Sequence, residues 1–359
     1  LNGLLGSIDH EGGIFYKPSI TKGALPAFTS YQDETATTGL TKKKIDQRGT
    51  LRFPALNAGK SGGGVVTNRV AQAIIDENPY DIKVIIADWV NLVFSGYQSG
   101  LWEQALAKVP FLVHITTNAS EMSMFADIVL PAAHHATERF SGSDNAGNRV
   151  SYVSIQQPVV EPLWDVRNSE AEIPWMIAEK LKEKGFSNIH DYFHNEFKDP
   201  DSDAKPVTAA EFALYSAKIF LKDAYTKAGS WEAFKNIGIG QSAPIQFGKR
   251  LGAMGTVTKK FEFYSQTLEA ALQQHADKHA TTIDDVLAQC NLTAQGERAF
   301  VPHYEPPLRV GSNAGFPLEF VDYKSRLNRE GRSGNLPWYH EFKKCDPGDA
   351  SWSDVIKIN

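Results

Sequence analysis

Residues 116–148 read TTNASEMSMFADIVLPAAHHATERFSGSDNAGN, and this stretch decides the fold. At its centre, Ala126-Asp127-Ile128-Val129-Leu130-Pro131 is a short apolar run stopped by proline, the pattern of a buried strand. A polar loop punctuated by glycine follows and holds Glu138, Arg139 and Asn145. A strand whose carboxyl end opens into such a loop is where open α/β sheets bind ligands.

Upstream, residues 111–116 (FLVHIT) and 82–87 (IKVIIA) are two further apolar runs, expected as strands buried on both faces. Residues 101–108 suit a helix between them, and residues 120–126 a short helical turn. Residues 65–77 carry Val66, Val70, Ile74 and Ile75 at helical spacing, and Asn78-Pro79 stops that helix. Strand, helix, strand, helix, strand predicts an α/β fold, a Rossmann-like doubly wound lobe over residues 65–185. An amphipathic helix over 170–184 closes it, with Pro174 tolerable near the helix start. Residues 1–64 read as a connector from a preceding domain, with 17–60 irregular and the end of a helix near the start. Residues 186–314 read as a helical and irregular extension, with helices near 209–225, 231–236 and 266–288 and a half-exposed strand over 260–265. From residue 315 a β-rich unit begins.

Composition narrows the function classes. With 42% hydrophobic and 22% charged residues, a 359-residue chain builds a packed core. A net charge of −5 and no basic run beyond Lys42-Lys43-Lys44 argue against nucleic acid as a partner. No apolar run is long enough for a membrane span. Two cysteines, Cys290 and Cys345, make no CxxC site, and the neighbours His134 and His135 point to opposite sides of an extended chain. Gly59-Lys60-Ser61 imitates a phosphate loop, but Pro54 stands where its first glycine belongs. No GxGxxG follows any expected strand, which argues against a nicotinamide dehydrogenase. Leu1 at the start and a strand-like run at the end suggest an interior piece of a longer polypeptide.

Five stretches, in order, resemble the molybdopterin oxidoreductases, the dimethyl sulfoxide reductase family. Gly6 with Glu11-Gly12-Gly13 is similar to the family's glycine turn, and Asn78-Pro79-Tyr80-Asp81-Ile82-Lys83 with Asn91, Ser95 and Gly96 to its "PYxIK…NPxxS" segment. The third is the ADIVLP segment with Glu138, Arg139 and Asn145. Lys260-Phe261-Glu262-Phe263-Tyr264-Ser265 resembles "GKxEFYSE", and residues 323–338 the entry to a cofactor-covering β-barrel. Leu92 replaces the usual proline, and Thr116 stands where an aspartate is common.

The resemblance implies part of a large catalytic subunit built around a molybdenum or tungsten ion held by two molybdopterin guanine dinucleotides. It implies a 4Fe-4S cluster bound by an amino-terminal part not in this chain, and an iron–sulfur electron-transfer subunit as partner. The substrate would be a small inorganic oxyanion or sulfur compound (arsenate, tetrathionate, thiosulfate or polysulfide), and the compartment the periplasm. The start of a β-barrel is expected at residues 315–359, and no catalytic residue or metal ligand falls in this chain. Cofactor contacts are expected at Asn91, Ser95, Gly96, Ile115, Thr116, Thr117, Asn118, Arg139, Asn145, Glu170, Asp322, Lys324 and Ser325. Five of them have a plainer reading: Asn91 a loop cap, Arg139 a partner of Glu138, Asn145 a turn residue, Glu170 a helix-end acid, Lys324 a solvated lysine. The alternative for the whole is a relative that lost the cofactor and kept the fold as an electron-transfer scaffold.

Overall fold

The computed structural model describes residues 1–56, 64–134, 141–307, 314–321 and Pro337. By contacts the chain divides into Leu1–Tyr304 and Glu305–Asn359. The first unit contains the helices and strands from Glu34 to Gln289.

Helix α1 spans Glu34–Thr41, within the stretch expected to be irregular, because Asp33 caps it by accepting from the Ala36 N–H. Helix α2 (Val70–Ile75) leads into strand β1 (Val84–Asp88), and α3 (Leu92–Ser95) and α4 (Ser99–Lys108) return the chain to β2 (Phe111–Thr116). A 3-10 turn over Glu121–Phe125 leads to β3 (Ile128–Pro131). The strands form one parallel sheet in the order β1-β2-β3, with Ile86 opposite Val113 and Val113 opposite Ile128. Parallel neighbours need crossovers, and the helices provide them.

One face of this sheet is covered over β1 and β2, while Val129 of β3 on the same face stays exposed. Ala87 and Leu112 pack there with Val93, Leu106 and Met122, while Ile85 also meets the cluster of Ala71, Ile74, Trp102 and Ala105. The opposite face is covered only in part, where Val113, Ile115 and Leu130 meet Ile173. Val84 and Ile86 remain 52% and 58% exposed, which corrects the expectation that residues 82–87 are buried on both faces. An apolar run announces burial without saying what supplies the cover.

Beyond the parallel sheet, β4 (Ser141–Gly147) and β5 (Val150–Gln156) form an antiparallel hairpin, which β6 (Ile239–Gln241) extends in a separate sheet, order β4-β5-β6. The expected polar loop is therefore a strand from residue 141 onward. Helix α5 (Glu172–Glu183) packs on α6 (Asn188–Glu196), burying Trp175 with Phe197 and Phe212. The long α7 (Ala209–Lys227) opens on a capping box between Thr208 and Glu211. It buries Leu221 and Ala224 against Val153 and against Phe234 of α8 (Trp231–Ile237). The expected helix over 266–288 is two, α9 (Gln266–Lys278) and α10 (Ile283–Gln289), because Ala280 takes a left-handed φ of 50° and Thr282 starts a new cap. Residues 260–265 form bends and irregular backbone rather than a strand, with Thr256 Oγ1 donating to the Lys260 carbonyl and Glu262 Oε1 accepting from the Thr258 N–H. At the amino end, Leu5 donates to the Leu1 carbonyl in a single helical turn. Asp9 then anchors the glycine turn, accepting from the Arg250 backbone N–H at 2.8 Å.

Candidate functional site: the carboxyl edge of the parallel sheet

The three parallel strands end at Asp88, Thr116 and Pro131, and the segments after these residues form one rim. The rim is held from below. Asp127 accepts from the Leu112 N–H at 2.7 Å through its carboxylate, and its own N–H donates to the Leu112 carbonyl, so this side chain fixes the start of β3 against β2. His114 is fully buried in β2; its Nδ1 lies 2.9 Å from Ser123 Oγ, and the ring also meets the Val90 backbone carbonyl. Burial pushes this imidazole below its ordinary value, so the ring is neutral and serves as a pin. It ties the loop after β1 and the turn after β2 to the middle strand.

On that base the tips are ordered. The Trp89 N–H donates to the Ile115 carbonyl at 3.0 Å, joining the ends of β1 and β2. Trp89 has a left-handed φ of 55° and a half-exposed indole, a conformation that non-glycine residues seldom adopt. Asn91 Nδ2 donates to Glu121 Oε2 at 2.7 Å, and this bond holds the Glu121 carboxyl below the usual range. A carboxylate only accepts, so the nitrogen of the amide must face it. Asn91 Oδ1 is thereby left buried with no donor among the described residues. Such an orphan costs about 1–3 kcal/mol until something donates to it.

The remaining expected residues divide. Ser95 Oγ donates to the Asn91 carbonyl at 2.7 Å and braces that loop. Gly96 is required by packing: a Cβ there would stand 2.3 Å from Trp102 Nε1 and from the Leu92 carbonyl oxygen. Ile115 is buried in the core, so only its backbone can reach the rim. Thr116 Oγ1 donates to the Asn118 carbonyl at 2.8 Å, curling the chain after β2. Thr117 and Asn118 line a cavity of about 330 Å³ with His134, Glu161 and Trp164. Glu170, just before α5, is close enough to Asp88 to act on it; burial first and the Glu170 charge second push the Asp88 carboxyl above the usual range. Asn145 lies apart in β4, where its Oδ1 accepts from the Ala146 N–H. Arg139, Asp322, Lys324 and Ser325, with Glu138 and the expected barrel entry at 323–336 and 338, lie outside the described residues, as does Gly59-Lys60-Ser61.

Sequence reasoning missed Trp89, Asp88 and Trp164. The first two directly follow or end an apolar run, and that position was the available signal. A larger cleft of about 430 Å³ lies between β3 and α5, lined by Leu130, Ile173, Met176, Ile177 and Leu181. It is apolar and holds none of the expected residues. The strand-end rim, with its convergent amides, hydroxyls and carboxylates, is the better candidate for a polar ligand.

Comparison with known proteins decides the family. Over its whole length the chain is 48% identical to the molybdopterin-containing subunit of the arsenate respiratory reductase of Chrysiogenes arsenatis, covering 44% of that protein. It is also 48% identical, again over its whole length, to the corresponding subunit from Shewanella sp. (strain ANA-3), covering 43% of it. The chain belongs to the molybdopterin oxidoreductase family. A more distant member, the molybdopterin-containing subunit of the thiosulfate reductase of Salmonella typhimurium, is 28% identical over 51% of this chain and 24% of that one. The chain thus spans under half the length of the family members it matches. No family model matches it. Among solved structures, the acetylene hydratase of Pelobacter acetylenicus aligns with a TM-score of 0.41 at 18% identity over 65% of this chain and 28% of that one, a likeness too loose to carry an argument.

The rim suits what family membership brings. A molybdopterin offers N–H donors on its pterin ring, which need acceptors. Asn91 Oδ1 is an acceptor lacking a donor, and Asp88 and Glu170 are two more at the same edge. The residues present fit the group.

Proposed function

We propose that this chain is part of the catalytic subunit of a molybdopterin-dependent oxidoreductase that reduces arsenate. The observation that supports it most is the identity of 48% along the entire chain with two arsenate respiratory reductase subunits, against 28% over half the chain with a thiosulfate reductase subunit. In this reading the parallel sheet with its helices is a Rossmann-like dinucleotide-binding lobe, residues 315–359 begin the cofactor-covering barrel, and the cofactor is the bis-guanine-dinucleotide form with molybdenum or tungsten. The remainder of the subunit carries the 4Fe-4S cluster, and an iron–sulfur subunit in the periplasm passes electrons to it.

When bound, the metal cofactor supplies the two-electron oxygen-atom chemistry. The residues of this chain do something simpler: they bind and orient. Asn91, held by Glu121 and braced by Ser95, presents a fixed acceptor. The ST-type turn from Thr116 to Asn118 shapes the floor beside it, and Asp88 and Glu170 take O–H and N–H donors at the far side. Arg139 and Lys324 are the cations proposed to face the phosphates.

The test uses the full-length subunit. Metal analysis and release of guanine nucleotide on denaturation are measured together with arsenate-dependent oxidation of a reduced dye. The proposal predicts molybdenum or tungsten, about two guanines per subunit, and a lower guanine content in Asn91→Ala. A folded subunit that contains neither metal nor pterin would instead support the electron-transfer scaffold.

A further inference from the structure

Away from the strand-end rim, two helices bring together a second set of donors. Glu179 on α5 faces His190 and His194 on α6, and one donor atom from each lies within 4.8 Å of the others. His190 and His194 are four apart, so one helix face presents both rings, stacked with centroids 4.0 Å apart. His194 Nε2 is 3.1 Å and His190 Nε2 is 3.7 Å from the same oxygen, Glu179 Oε1. Metal bonds of about 2.0–2.2 Å in tetrahedral geometry place donors about 3.4 Å apart, so both separations bracket the required spacing.

At His190 the protonation pattern is already that of a ligand, while at His194 the Nε2 proton now donated to Glu179 Oε1 would leave on metal binding. Lys182 Nζ lies 3.0 Å from His190 Nε2, and an ammonium can only donate, so that nitrogen carries a lone pair. The proton sits on Nδ1, which donates to Asp191 Oδ1 at 2.9 Å. Asp191 is itself held by Ser187 Oγ at 2.7 Å, which fixes the acceptor that orients the His190 ring. A carboxylate orienting the far nitrogen of a histidine is the usual support of a metal-bound imidazole. His190 is buried, and Trp175 packs against the His194 ring with centroids 4.4 Å apart, so neither ring is free to turn away. Lys182 is exposed on a flexible stem and can leave for solvent.

We propose that Glu179, His190 and His194 bind a divalent zinc-class ion, with water as fourth ligand, that clips α5 to α6. Zinc favours this nitrogen and oxygen set. Lys182 competes for the same lone pair and sets the affinity, and Asp191 is a positioning residue.

The full-length subunit, washed with chelator, is titrated with Zn²⁺ against a metal-indicator dye, and with Co²⁺ followed by visible absorption. One tight equivalent is expected in wild type and lost in His190→Ala/His194→Ala, with a tetrahedral Co²⁺ spectrum. Asp191→Asn should weaken binding about tenfold. Lys182→Met should tighten it several-fold, a gain that misfolding cannot imitate. Equal zinc in wild type and the double variant, or no tightening in Lys182→Met, overturns the proposal.

Discussion

Asp127 shows how much one carboxylate can hold. Both its backbone N–H and its side chain bond Leu112, so it closes the crossover from β2 to β3 before any apolar contact of β3 contributes. In Asp127→Ala the Leu112 N–H loses its acceptor, and urea unfolding should show a loss of about 1–3 kcal/mol. Asp127→Asn, which keeps an acceptor oxygen, should lose less. His114 acts on the neighbouring segments, and its titration gives a signed expectation. Its native value is depressed by burial, so the unfolded chain binds more protons near the ordinary histidine value of about 6.5. Stability from this group is therefore full above that pH and falls as pH drops through it. Equilibrium unfolding at a series of pH values should show that slope in wild type and a shallower one in His114→Gln. Buried His275, also depressed, should leave part of the slope in that variant.

At the scale of elements, α7 is fastened to the preceding loop by charge as well as by its apolar face. Lys218, buried on α7, pairs with Asp199 and Asp201, and Asp201 also meets Lys222 at 2.5 Å and accepts from the Tyr225 hydroxyl at 2.9 Å. These partners hold the Asp201 carboxyl far below the usual range and push Lys222 up to about 12. Removing Lys218 leaves the poorly exposed Asp199 carboxylate without its cation, so Lys218→Met should cost about 3 kcal/mol by chemical denaturation. The elements also show which signals a sequence carries. Strand β2 coincides with its apolar run, residues 111–116, and α7 follows its periodicity from the Thr208 cap onward. Strand β4 was illegible because SGSDNAG holds no β-branched or aromatic residue; its pairing is dictated by VSYVSIQ across the hairpin. The short loops of the rim were legible as positions, at the ends of apolar runs. Their partners, such as Glu121 for Asn91 thirty residues on, exist only in three dimensions. The same holds for Glu179 with His190 and His194, since HDYFH alone is an ordinary helical spacing.

For the molecule as a whole, the parallel sheet is covered over β1 and β2 on one side and largely bare on the other. Val84, Ile86, Phe111 and Ile128 share one face by register and all keep substantial exposure. Contiguous apolar surface of this kind marks an interaction site. Produced alone, this chain should bind a hydrophobic dye and scatter light in a concentration-dependent way, and Ile86→Lys should diminish both. A chain that stays dye-silent and monodisperse would show that this face is closed in solution.

That half-open sheet bears on how such a subunit matures. Until its bare side finds a lid, the newly made polypeptide displays a sticky plane while waiting for its pterin. Solubility before assembly would then be governed by these four aliphatic and aromatic positions, whatever the strand-end rim holds.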